Sequence, residues 1–508
     1  MKKFFGKIGN GMKKFFRGIK NAIKKLFKLI TNKWLLKGTT TAILVALVIA
    51  GYVGLNWGVK QIKIADWDFT TKKMYSLSDE TKERLKELES EITIQVLNFK
   101  NYTYLLEYVD KYKIESDKII VEKIEDLSTR VDLQEKYGIG TEDNVIIVKN
   151  GEKEKALVEN DLYTYDYATY ETIDITEEAL TNAIVEVTLE EKPHIYILNG
   201  KAYNDPEKSM GLIATQLIAE ANDVDLLDIL TTGSVPEDCD CLMITTLKQD
   251  LTDLERDKIL EYINRGGKIL MLTSQNTLQV DTPNFDQILA QYGVTLEYGA
   301  ILEQDTSKML YDTPNMIITE ASAQYLEDID MNLKLCMVNP GSIKFANEEK
   351  LTELAVAYET IASTSGSSFV RTDFNQTSYS RTDKDSEEGT NIVGAHVAKM
   401  VVDGEEEDIF SDLIIFSDET FASTGQIVLG FQAVYAANLY NNQDVVLNSV
   451  STLTERDDTI TIRKTSETEY YTVSDQEDVV IKTIIFVVPV LIIGAGVVVW
   501  IFRRRKIW

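Results

Sequence analysis

All 81 acidic residues of this 508-residue chain lie between Asp66 and Asp478, and an uncharged apolar segment sits just outside each limit. The first covers residues 38–59, bracketed by Lys37 and Lys60, and the second covers 483–502, bracketed by Lys482 and Arg503. Each is close to the roughly 20 residues a helix needs to span a bilayer. Beyond them lie only basic ends. Residues 1–37 hold 12 Lys/Arg and no acid, and residues 503–508 begin with Arg503, Arg504, Arg505 and Lys506. Positive flanks stay in the cytoplasm. The pattern therefore predicts a two-pass membrane protein with both termini cytoplasmic and one large extracytoplasmic body. A cleaved leader ending at Val48-Ile49-Ala50 is the alternative, but the long basic lead favours an uncleaved anchor.

The stretch from Lys60 to Ile481 carries 36 Lys/Arg against 81 Asp/Glu, a net charge of −45. Such a surface repels nucleic acid and anionic lipid, so neither is expected as a partner of the body. Its length, about 420 residues, predicts two or three domains. Cys239 and Cys241 are too close for an unstrained bridge, and Cys336 stands alone. An exported body without a disulfide framework fits a bacterial plasma membrane. His194 and His396 are far apart, so no metal motif and no cofactor is expected. The chain lacks a Gly-x-x-x-x-Gly-Lys-Ser/Thr loop, which assigns any ATP hydrolysis to another chain. In the tail, Ile8, Met12, Phe15, Ile19, Ile23, Leu26 and Ile30 recur at helical spacing between lysines. This is the pattern of a cationic helix lying on the inner membrane face, or docked on a cytoplasmic partner.

Within the body the fold class reads as α/β. In residues 66–175, Ser78 is placed to cap a helix, and Ile92–Leu97 alternates as a strand. After these come a helix near 104–112, a strand Ile119–Ile124, a helix Val131–Tyr137 and a hairpin turning at Asn150-Gly151. That order resembles a thioredoxin-like module. Redox chemistry there needs a Cys-x-x-Cys, and the corresponding Phe99-Lys100-Asn101-Tyr102 has no cysteine, so the module is expected to serve structure or interaction. In residues 176–465, short apolar runs at His194–Leu198, Cys241–Ile244 and Lys268–Leu272 alternate with helices at 210–221, 252–265 and 285–292. Strands alternating with helices predict a doubly wound parallel sheet. The stretch 363–390, rich in Ser, Thr, Asp and Gly, reads as an exposed mobile loop.

Several segments then resemble one family. Met74-Tyr75-Ser76-Leu77-Ser78, Glu178-Ala179-Leu180-Thr181-Asn182, Lys192-Pro193-His194-Ile195-Tyr196-Ile197-Leu198-Asn199-Gly200 and Gly266-Gly267-Lys268-Ile269-Leu270 are similar to stretches of the GldG-type auxiliary subunits of ABC transporters, the gliding-motility group and its relatives. So are Leu413 through Ala422, Asn438, Asn448 and Ile460-Thr461-Ile462-Arg463. The resemblance implies an accessory subunit that works with separate permease and ATPase chains, its body recognising substrate, a partner or cell-envelope material. It also implies that the sheet domain is related to class I glutamine amidotransferase-like folds. Where relatives carry His-Gly-Glu, this chain has Asn199-Gly200-Lys201.

A hydrolase of that fold needs a nucleophilic Cys on a strand-to-helix elbow with a His nearby. Cys241 opens a strand, and neither histidine has a matching context, so no catalytic residue is expected. Any ligand site would lie at the carboxyl ends of the strands, at Asn199, Gly200, Thr245, Thr273, Ser274 and Asp418, with Thr246 and Ser417 beside them. Caps and turns use the same residue types. The competing readings are an envelope hydrolase or amidotransferase relative, and a membrane-anchored scaffold unconnected to transport.

Overall fold

The computed structural model describes residue 50 and residues 76–166, 171–322, 333–402, 408–429 and 432–456. The basic tail, nearly all of the first apolar segment and the whole of the second lie outside the described residues. Among the described residues no helix is long and apolar enough to cross a membrane. The chain divides into two units, Met1–Ser76 and Leu77–Trp508, and every strand among the described residues belongs to the second.

The first part of this second unit opens with α1 (Asp79–Glu87), whose first turn is capped where Thr81 N–H donates to Ser78 Oγ at 3.1 Å. Then come β1 (Ile92–Leu97), α2 (Thr103–Glu115), β2 (Ile119–Ile124), α3 (Val131–Tyr137), β3 (Val145–Asn150) and β4 (Lys153–Val158). A small hairpin, β5 (Tyr163–Asp166) and β6 (Glu171–Asp174), precedes α4 (Thr176–Thr188). The sheet order is β2-β1-β3-β4, with β1 parallel to β2 and antiparallel to β3. Period-two alternation buries Ile92, Ile94 and Val96 against Tyr108, Val109 and Tyr112 of α2.

The same core takes in Leu180, Ala183, Ile184 and Val187 of α4. The sequence pattern puts the domain boundary before Thr176, but α4 completes the first sheet. The reason is its apolar stripe, Leu180, Ala183, Ile184 and Val187 at helical spacing.

The second part begins at β7 (His194–Leu198) and continues with α5 (Pro206–Ser209), α6 (Gly211–Ala219), β8 (Asp223–Leu227), α7 (Ile229–Thr232) and β9 (Cys241–Thr245). Next are α8 (Asp253–Asn264), β10 (Ile269–Leu272), α9 (Pro283–Gln291), β11 (Val294–Glu297), β12 (Ala300–Leu302), β13 (Met309–Leu310), β14 (Thr313–Glu320) and β15 (Lys334–Val338). The last elements are β16 (Ser342–Phe345), α10 (Glu348–Glu353), β17 (Val356–Ser363), β18 (Phe369–Arg371), β19 (Ile392–Val402), β20 (Ile409–Phe416), β21 (Gln426–Leu429), β22 (Gln432–Tyr435) and α11 (Asn442–Leu453).

The large sheet runs β11-β16-β19-β20-β10-β9-β7-β8, with β17 also on β19. β8, β7, β9, β10 and β20 are parallel. β19, β16, β17 and β11 extend them antiparallel. The expected parallel sheet is therefore a mixed one. Parallel neighbours need a long crossover, whereas antiparallel ones accept a short turn, and only residues 403–408 separate β19 from β20. One face of the sheet is covered by α6 and α11, through Met210, Ile213, Leu217, Val446 and Val450. The other is covered by α8 and α9, through Ile259, Ile263, Phe285 and Ile288.

Candidate functional site

The chain passes from β7 to β8 on one side and returns to β9 on the other, so the strand order reverses between β7 and β9. In open α/β sheets the crevice for a ligand lies at that reversal, beyond the carboxyl ends. Here it is closed by backbone. Ala202 and Leu247 form an antiparallel bridge. Tyr203 N–H donates to the Thr246 carbonyl at 2.7 Å, and Lys248 N–H donates to that of Lys201 at 3.0 Å. The loops after β7 and β9 are thus paired across the place a ligand would enter.

The rest of the carboxyl edge is tied in the same way. Glu419, buried just beyond β20, accepts from Thr246 N–H at 3.0 Å and from Asn204 Nδ2 at 2.8 Å. Ser274 Oγ accepts from Glu419 N–H at 3.1 Å, and Ser274 N–H donates to Thr246 Oγ1 at 2.8 Å. Thr273 Oγ1 accepts from Gln275 N–H, and Gln275 Oε1 accepts from Leu247 N–H. Ser417 Oγ donates to the Gly341 carbonyl at 2.6 Å.

Asp418 is fully buried and accepts from Val338 N–H at 2.5 Å and from Thr420 N–H at 2.7 Å. Burial pushes its carboxyl up to about 7, against the downward pull of the backbone amides of Val338, Thr420 and Phe421. Asn276, also buried, lies flat against Gly341: a Cβ there would sit 1.1 Å from Asn276 Nδ2.

The six candidate residues therefore have these places. Thr245, Thr273 and Asp418 are inside, Ser274 is half-buried in the network, Asn199 is half-buried, and Gly200 is exposed. Gly200 has φ +82°, the left-handed region that glycine tolerates. Ser274 and Asp418 are brought together through Glu419, whereas Asn199 and Gly200 turn outward at the end of β7, Gly200 N–H bonding Asn199 Oδ1 at 2.7 Å. Sequence reasoning missed Glu419, whose only signal was its place directly after Asp418.

Of the three thiols, Cys336 lies close enough to Asp418 to feel its charge, whereas Cys239 and Cys241 lie at the amino end of β9. Cys239, Cys241 and Cys336 are free and buried. Burial pushes the thiols of Cys239 and Cys336 up to about 12 and that of Cys241 upward as well. His194 sits at the amino end of β7, opposite the carboxyl edge, with Nε2 2.9 Å from Asp225 Oδ2 and Nδ1 3.2 Å from Asp238 Oδ2. Among the described residues no cluster of His, Cys, Asp and Glu is arranged to hold a metal ion.

A second polar cluster joins two of the segments singled out in the sequence. Glu177, buried at the start of α4, accepts at Oε1 from Ser78 N–H (2.6 Å) and Thr81 Oγ1 (2.8 Å), and at Oε2 from Tyr108 O–H (2.8 Å). Thr181 Oγ1 lies 3.3 Å from Thr81 Oγ1 and 2.8 Å from Tyr112 O–H. Ser78, Thr81 and Tyr108 thus hold the Glu177 carboxylate, and Thr181 joins the network through Thr81 and Tyr112.

The span 363–390, read as a mobile loop, contains β18 and a buried ion pair. Arg371 Nε and Nη2 donate to Asp385 Oδ1 and Oδ2 at 3.0 and 2.8 Å. Arg371 also donates to the carbonyls of Ser378 and Ser380. The guanidinium beside Asp385 holds that carboxyl down at about 2.

The chain belongs to the family described as an ABC-type uncharacterized transport system, which matches residues 192–449. No curated protein matches it. Among solved structures it is similar to the mmIFT52 N-terminal domain, with 11% identity and a TM-score of 0.37, over 52% of this chain and 98% of that one. It is also similar to ThuA-like proteins of Bacteroides uniformis (8% identity, TM-score 0.30, 52% and 93% covered) and Parabacteroides merdae (8% identity, TM-score 0.30, 54% and 93% covered).

Proposed function

We propose that this chain is a non-enzymatic accessory subunit of a bacterial ABC transport system, working beside separate permease and ATPase chains. The observation that carries the reading is the family match over residues 192–449, which spans nearly the whole large sheet. The closed crevice between β7 and β9 supports a non-catalytic role, because the place where this architecture holds substrates is filled by backbone pairing. Thiols buried far above neutral pKa support it as well.

On this reading the four-stranded sheet is a thioredoxin-like module without its redox motif, and the large sheet is an amidotransferase-like scaffold. The apolar segments 38–59 and 483–502 dock on permease helices in the plasma membrane, and the body is a recognition surface outside it. A GldG-type identity is the finer form of the proposal. The test is purification of the full-length protein from its native membranes in mild detergent. Recovery with an ATPase and a multi-span permease in fixed ratio is expected; recovery without either sinks the reading.

A further inference from the structure

We infer that residues 372–382 form a preorganised recognition loop for an uncharged polysaccharide. Three observations meet there. The first is order without regular structure. Arg371, 4% exposed, is held bidentate by Asp385, 8% exposed, and binds the carbonyls on both sides of Tyr379. Asp385 also accepts from Thr382 N–H at 2.7 Å and Thr382 Oγ1 at 2.9 Å. A buried ion pair adds little stability over an apolar pair, and its best-attested gain is a single conformation.

The second observation is electrical. The three cations of the span are all paired within it: Arg371 with Asp385, Lys384 with Asp373 at 3.3 Å, and Arg381 with Glu387 at 2.8 Å. Phe374 to Ser380 is left as an uncharged stretch on a strongly acidic body.

The third is what that stretch exposes. Phe374 is 47% and Tyr379 51% exposed, the former set edge-on against Tyr298 at 5.9 Å. Between them lie Asn375, Gln376, Thr377 and Ser378, offering amide and hydroxyl donors and acceptors. Aromatic faces stack on the C–H face of a sugar ring, and amides and hydroxyls match its hydroxyl groups. A protein partner would want aromatic and arginine anchors set in a desolvated apolar centre, whereas here the two aromatics flank a run of four polar residues. From Thr372 to Thr390 there is no aliphatic residue, and both arginines of the span are tied. Fixing such a loop beforehand removes the ordering cost that weak sugar contacts cannot offset.

The inference rests on the reading of the body as a recognition subunit. The test uses the full-length protein in lipid nanodiscs, titrated calorimetrically with chitotetraose, cellotetraose and maltotetraose, and with tetragalacturonate as the charged control. Binding of at least one neutral tetrasaccharide is expected, weakened roughly tenfold or more by Tyr379→Ala and by Phe374→Ala. Both side chains are at the surface, so the variants should melt as the parent does. Asp385→Asn should weaken binding by loosening the loop. Absence of binding to all three neutral sugars, preference for the charged one, or binding unchanged in both aromatic variants overturns the inference. Co-purification with permease and ATPase is indifferent to these outcomes, so the two readings fail separately.

Discussion

The backbone N–H of Ser78 donates to Glu177 Oε1 at 2.6 Å, although 99 residues separate the two in the chain. Glu177→Ala removes the acceptor of Ser78 N–H and of Tyr108 O–H, and leaves the Thr81 hydroxyl only the longer contact to Thr181 Oγ1. Each buried donor left without an acceptor costs about 1–3 kcal/mol. The variant should lose at least about 2 kcal/mol, read from the chemical denaturation midpoint, and amide exchange should rise first in α1. Glu177→Gln keeps the shape and should lose less.

Arg371 and Asp385 invite a paired comparison. Removing one partner leaves a buried charge, so Arg371→Met or Asp385→Leu alone should cost about 3–5 kcal/mol. The double variant should recover most of that loss. Asp385 is held at about 2, below the usual carboxylate range. Its stabilisation is therefore present above that range and is lost as pH falls through about 2. Acid unfolding followed by circular dichroism, compared with the double variant, checks the sign.

Asp418 behaves oppositely. Its carboxyl is raised to about 7, so the protonated form is favoured by the fold. The contribution is full below the ordinary carboxylate value, near about 4, and is lost as pH rises through about 7. Asp418→Asn should flatten the slope of stability against pH between about 4 and about 7. An unchanged slope would show that the carboxyl titrates elsewhere.

The three cysteines, all buried, should resist a thiol reagent such as Ellman's at mildly alkaline pH for as long as the chain is folded. All three should react once it is unfolded in guanidinium. Fast labelling of any one in the native protein would contradict the burial and the raised thiol values.

Gly341→Ala should destabilise, because its Cβ would overlap the Asn276 amide. Overpacking of this kind costs about 1–3 kcal/mol. Asn276→Ala combined with Gly341→Ala should regain part of the loss in a thermal melt, which a backbone-strain explanation would not foresee.

Of the five parallel strands, β7, β9 and β10 were legible in the sequence because they are apolar runs between helices, whereas β8, largely exposed, carries no such run. The antiparallel half was not. β17 and β19 mix buried and exposed residues without clean alternation, and register shifts interrupt their pairing. The carboxyl edge could be located from the ends of those runs, as Thr245, Thr273 and Ser274 were. Its closure could not, since the Ala202–Leu247 bridge joins two loops with no periodic signal. Arg371 and Asp385 were hidden for a related reason. Their partnership spans 14 residues of irregular chain, where no helical or strand period relates one position to the other.

Glu177 and Glu178 are consecutive in α4, yet they hold different parts of the molecule. Glu177 faces α1 and α2, while Glu178 accepts from Gln216 of α6 at 2.6 Å. A hinge movement between the two sheets has to break a hydrogen bond at one carboxylate or the other, depending on which side opens. One helical turn thus carries carboxylates that reach helices on both sheets.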